Sequence, residues 1–200
     1  MPPRHPLSKS SAIALVAMAV TTNAHSHSGG TPGVLTAWLH PLTGADHLVA
    51  MVAVGAWSAL LGERAKWSVP GAFLAFMLAG GVVGLRLVDI PAVEIGVALS
   101  VLLLGLAVAL TERLPVPMAA AAVGAFGFCH GYLHGYELTV VARPVLATVG
   151  FMTTTAALHV VGLVMAQSAL RCEAGLRVLL GSGWIAAGFG GWLLAVRISA

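Results

Sequence analysis

The chain has 200 residues, of which 58% are hydrophobic and only 8% charged, and its mean hydropathy is +0.95. A soluble domain carries about 25% charged residues, so this composition cannot supply a water-facing surface, and cytosolic and nucleic-acid-binding roles are excluded. The formal net charge of +3 marks no basic patch, because Arg4 and Lys9 lie in a leader and the remainder balances eight basic against seven acidic side chains.

In chain order, Arg4 and Lys9 precede a short apolar run over 12–20 and the small residues Thr22, Asn23 and Ala24. This is the pattern of an export signal cleaved after Ala24. The run is too short to cross about 30 Å of hydrocarbon comfortably. The expectation is a signal peptide over 1–24 and a single membrane domain over 25–200. Cleavage would place His25 and His27 at the new terminus. There the amine, two amides and His27 can wrap a square-planar Cu²⁺ or Ni²⁺ ion; a plain polar tail is the competing reading.

Six apolar stretches follow, over 34–61, 69–88, 91–110, 116–141, 145–167 and 176–196. Each suffices for a tilted transmembrane helix. The fold expected is therefore all-α, a polytopic membrane bundle of six transmembrane helices. The breaks between spans are short and marked by charge or proline, as at Glu63 to Lys66, Glu112 to Pro115 and Arg143-Pro144, and none holds a soluble domain. Gly80/Gly84 and Gly127/Gly131/Gly135 repeat at small-xxx-small spacing, which lets helices approach closely in lipid. An exported N-terminus leaves Arg64, Lys66, Arg113, Arg171 and Arg177 inside and Arg86, Arg143 and Arg197 outside, in the positive-inside sense. Cys129 and Cys172 make neither a CxxC pair nor a disulfide framework.

Ionisable groups at membrane depth cost about 2.5–3.5 kcal/mol each on insertion scales and mark function. The first span contains His40-Pro41-Leu42-Thr43-Gly44-Ala45-Asp46-His47. His40 and His47 are two turns apart and share a face if the helix is continuous. Pro41 and Gly44 can bend or unwind it, and a broken span offers backbone carbonyls to an ion. The fourth span contains His130, His134 and Glu137 at i, i+4 and i+7, one stripe of a helix. Imidazoles and carboxylates together suit a divalent first-row cation, and the two acids Asp46 and Glu137 offset its charge. Helix-to-helix hydrogen bonding by these histidines is the competing reading. Cys129 adjoins His130 but points away from the stripe. Glu94 stands in the first turn of its span, where an acid complements the helix dipole. His159, isolated in the fifth span, reads as a packing residue, with an exit route for an ion as the alternative. By the expected topology, the two motifs and Glu94 converge on the outer half of the membrane and His159 falls in the inner half.

On His40-Pro41, Gly44, Asp46-His47 and the block His130-Gly131, His134-Gly135, Glu137, the sequence resembles the HupE/UreJ family of nickel permease-like membrane proteins. The resemblance covers nearly the whole mature chain, and the two motifs together are fairly specific. It implies uptake of Ni²⁺ across the bacterial inner membrane for hydrogenase or urease maturation, with an indirect link to the metal-insertion proteins of those enzymes. It places functional weight on His40, Asp46, His47, His134 and Glu137, adds His130, and favours Phe73 and Glu94 on the metal path. It implies no enzyme activity and no permanently bound cofactor; the metal is cargo. The ligand types do not separate Ni²⁺ from Co²⁺, Zn²⁺ or Cu²⁺. No GxxxxGK[ST] loop is present for direct ATP drive, so facilitated or secondary transport is expected. Two rivals use the same residues: a membrane cytochrome with haem between histidines, and an intramembrane metal-dependent hydrolase.

Overall fold

The computed structural model describes residues 34–86, 90, 92–138, 141 and 143–199, the side chains of 137 and 138 excepted. The expected signal segment, with His25 and His27, lies outside the described residues. Every regular element among them is an α-helix: α1 (Val34–Thr43), α2 (Ala45–Leu61), α3 (Ala65–Gly84), α4 (Ala92–Ala109), α5 (Val116–Leu138), α6 (Pro144–Ala169) and α7 (Glu173–Ser199). Helices α3 to α7 are each long and apolar enough to cross a membrane. The first span is not one rod. It is α1 and α2, bent by 68° at Gly44, and the pair taken together is the sixth candidate span. The chain is therefore an all-α, multi-pass membrane protein.

Local chemistry permits the break. Pro41 has no amide hydrogen to continue the ladder. Gly44 takes an extended conformation (ψ 110°) between the helices. At the other end of α2, Gly62 adopts φ 101°, a left-handed conformation that suits glycine alone, and turns the chain into α3. The turn takes only Gly62 to Arg64, closed by the Ala65 N–H on the Gly62 carbonyl at 3.0 Å, so α3 starts at Ala65, four residues ahead of the span expected over 69–88. Lys66 consequently rides on the helix, where its ammonium pairs with Glu63.

Glycines set the packing. α3 and α5 run parallel and form the largest helix contact. A Cβ at Gly127, Gly131 or Gly135 would strike the backbone of Phe73, Met77 or Gly81 in turn, and one at Gly80 or Gly84 would strike Phe128 or Tyr132. α4 and α7 cross antiparallel in the same way, Gly105 against Ala187 and Gly183 against Ala109. α6 pins the first span. Gly55 of α2 lies on the His159 carbonyl, and Trp38 of α1 packs on Gly150 and donates to the Leu146 carbonyl at 3.0 Å. Met51, Val54, Val69, Phe73, Val101 and Leu104 form the interior, while Trp67, Val178 and Ile185 point outward, the arrangement of a bundle facing hydrocarbon.

Candidate metal site

The 68° bend places His40 of α1 and His47 of α2 beside His134 of α5. One nitrogen from each imidazole lies within 4.8 Å of the other two, the only such group of three metal-binding side chains among the described residues. His47 and His134 are buried and His40 is partly exposed. Ring centroids stand 5.3 Å apart for His40 and His47, 4.9 Å for His40 and His134, and 4.6 Å for His47 and His134.

Asp46 stands behind His47. Its Oδ1 accepts the His47 backbone N–H at 2.9 Å and Nδ1–H at 3.0 Å. With Nδ1 donating, Nε2 of His47 carries the lone pair, and it faces His134 Nε2 at 2.7 Å. The carboxylate thus fixes tautomer and ring orientation, as in carboxylate–histidine–metal arrangements. Two lone pairs at that distance would repel, so His134 donates to His47. Gly44 leaves the room: a Cβ there would come 3.3 Å from Asp46 Oδ1 and 3.4 Å from His47 Nδ1.

His130 lies one turn before His134 on the same face of α5. Its ring is 4.6 Å from that of His47, yet it is not one of the three grouped nitrogens. Ser100 of α4 explains its pose. Ser100 Oγ donates to the Val97 carbonyl at 2.7 Å and accepts from His130 Nε2 at 2.9 Å. That leaves His130 Nδ1 with its lone pair, buried and without a partner among the described residues. Glu137 is on α5, and its side chain lies outside the described residues. Phe73 packs between His130 and His159, at 5.6 and 5.1 Å. Glu94 is at the start of α4 and pairs with Arg197 of α7 at 2.6 Å. His159 stands apart from the three imidazoles, on α6. Cys129 is turned to Gly96 of α4, away from the cluster.

A family model described as HupE / UreJ protein matches residues 13–193. The chain belongs to the HupE / UreJ family. It is 42% identical over 154 residues to Protein HupE of Rhizobium leguminosarum bv. viciae, a match covering 76% of this chain and 81% of that protein. No solved structure matches it. Family membership therefore spans both histidine motifs and the helices that carry them. Three supporting residues escape a reading of those motifs. Phe151 of α6 packs on His134 at 4.0 Å and on His40 at 6.4 Å. Ser100 was visible only as a lone hydroxyl in an apolar span. Thr154 of α6 donates to the Trp38 carbonyl at 2.9 Å and so holds α1 in place.

Proposed function

We propose that the protein carries a divalent transition-metal ion, Ni²⁺ first, across the bacterial inner membrane by facilitated or secondary transport. The mature N-terminus faces outside, and the ion supplies hydrogenase or urease maturation. The observation that carries this reading is the meeting of three imidazole nitrogens within 4.8 Å of one another at a broken membrane span. Nitrogen ligands of this kind hold first-row divalent ions, and with no thiolate among them they release them again. His40, His47 and His134 are the proposed ligands. Asp46 supplies negative charge through His47, and His130 waits one turn further in. Glu137 is proposed as the second acid. Glu94 with Arg197 forms the rim of the route. The role is transport rather than catalysis.

The geometry speaks against haem in this position. Three rings packed edge to face at 4.6–5.3 Å leave no slot for a planar macrocycle between them. The test is uptake of radiolabelled Ni²⁺ by cells lacking other nickel importers. Wild type accumulates the label, and His47→Ala, inserted at equal abundance, does not. Normal import by that variant would remove the site. Unlabelled Co²⁺, Zn²⁺ and Cu²⁺ as competitors rank the metals.

A further inference from the structure

His159 has a place that packing alone does not account for. It is 2% exposed, and neither Nδ1 nor Nε2 has a hydrogen-bond partner among the described residues. A buried polar group left unsatisfied costs about 1–3 kcal/mol. One turn earlier on the same face of α6, the Thr155 hydroxyl is equally buried and equally unpartnered. One turn earlier still, Phe151 touches His134. The face Phe151–Thr155–His159 therefore runs from the three-histidine cluster toward the other end of the bundle. The opposite wall matches it: His134 and then His130 on α5, with Phe73 of α3 next. With His130 Nδ1, four of the five unpartnered buried side-chain atoms lie along this column.

The column ends at a half-open groove on the bundle surface. His159 lines a space of about 150 Å³ together with Lys66, Trp67, Pro70, Leu74 and Leu163. Lys66 and His159 are its titratable groups, and the rest of the lining is mainly apolar. Gly135 packs at the level of Gly81, so Lys66, at the far end of the groove, lies about 22 Å along α3 from the cluster, while His159 lies only about 12 Å along α6 from Phe151, at 1.5 Å per residue. Phe73, fully buried, is the apolar ring between the two levels. The Lys66 ammonium at the groove wall is matched by Glu63.

We infer that His159 is a second ion station, on the inner side of Phe73, where a divalent transition-metal ion from the outer imidazoles rests on one imidazole and water before release past Lys66. The inference rests on the transport reading and deepens it. A single neutral imidazole with aqua ligands binds more weakly than three imidazoles, which suits a place of release. Phe73 keeps the two stations from sharing one continuous water column, so an ion passes between them only as the ring moves.

The test uses the full chain with Ni²⁺ as the probe, in two arms. In the first, His159→Leu is compared with wild type for Ni²⁺ uptake in vesicles and for Ni²⁺ binding at equilibrium. Uptake falls about tenfold, equivalent to about 1.4 kcal/mol of added barrier, while binding at the outer cluster persists and certifies the fold. Uptake at the wild-type rate overturns the inference and leaves the transport reading intact. A wild type that neither binds nor moves Ni²⁺ overturns both. In the second arm, His159→Cys is made in a chain carrying Cys129→Ser and Cys172→Ser. A membrane-impermeant thiol reagent reaches the new thiol from the Lys66 face only, and Ni²⁺ slows the reaction. This arm decides the matter should His159→Leu fail to fold. Labelling from the opposite face, from neither face, or at a rate Ni²⁺ does not change overturns the proposal.

Discussion

The hydrogen bond from His47 Nδ1 to Asp46 decides which nitrogen of His47 meets the cluster. Neighbouring residues on a helix point about 100° apart, so the sequence suggests Asp46 as a separate ligand. The start of α2 instead lets its carboxylate turn back onto the residue that follows it. Asp46→Asn keeps a carbonyl oxygen near His47 but removes the charge, and Ni²⁺ affinity falls about 10–100-fold, the usual cost of disturbing a partner behind a metal-bound histidine. Calorimetric titration of nanodisc-embedded protein measures it, and an unchanged affinity would separate Asp46 from the metal. Ser100 plays the corresponding part for His130. Ser100→Ala leaves His130 Nε2–H buried without an acceptor and destabilises the protein by about 1–3 kcal/mol. A lower midpoint in thermal unfolding of the detergent-solubilised protein is the expected result; an identical midpoint would mean that His130 finds another acceptor.

At the scale of helices, the site depends on how closely α3 and α5 approach, because α5 carries both His130 and His134. Lipid supplies no hydrophobic drive for two helices to associate, so backbone proximity through small residues does that work. Gly80→Val would drive a side chain into the Phe128 carbonyl, and the pair must separate. The expected outcome is loss of the monodisperse protein in size-exclusion chromatography and loss of metal binding with it. Gly188→Ala on α7, where a Cβ meets nothing within 4 Å, leaves both unchanged and controls for the added carbon. The small-xxx-small spacing makes this contact readable in the sequence, and the i, i+4 spacing likewise puts His130 and His134 on one face. The fate of the first span is less readable, because Pro41 and Gly44 permit both a bent helix and a break. What selects the break lies elsewhere in the chain: Gly150 accepts the Trp38 ring, and Thr154 and Leu146 bond to Trp38.

For the molecule as a whole, six spans, their order and both motifs are written in hydropathy and spacing. Partners brought together from distant spans are not. Phe151 against His134, Ser100 against His130 and Arg197 against Glu94 are each fixed by how helices assemble, and no local periodicity encodes them. The same assembly brings His40, His47 and His134 together, and the ligation proposed for them makes metal binding depend on pH. An imidazole nitrogen holds either a metal ion or a second proton, so the two compete. In nanodiscs, where no gradient acts, acidification should therefore weaken Ni²⁺ binding, because protonation gains what the metal loses. Equilibrium binding across a pH series checks it, and a flat profile would contradict imidazole ligation. Transport in sealed vesicles then separates the two modes of carriage. Under facilitated transport, uptake from an acidic exterior falls in parallel with affinity. Under proton-coupled transport, an inward proton gradient raises uptake even as equilibrium affinity declines, since the protons that displace the ion from the imidazoles are the same ones that move with it.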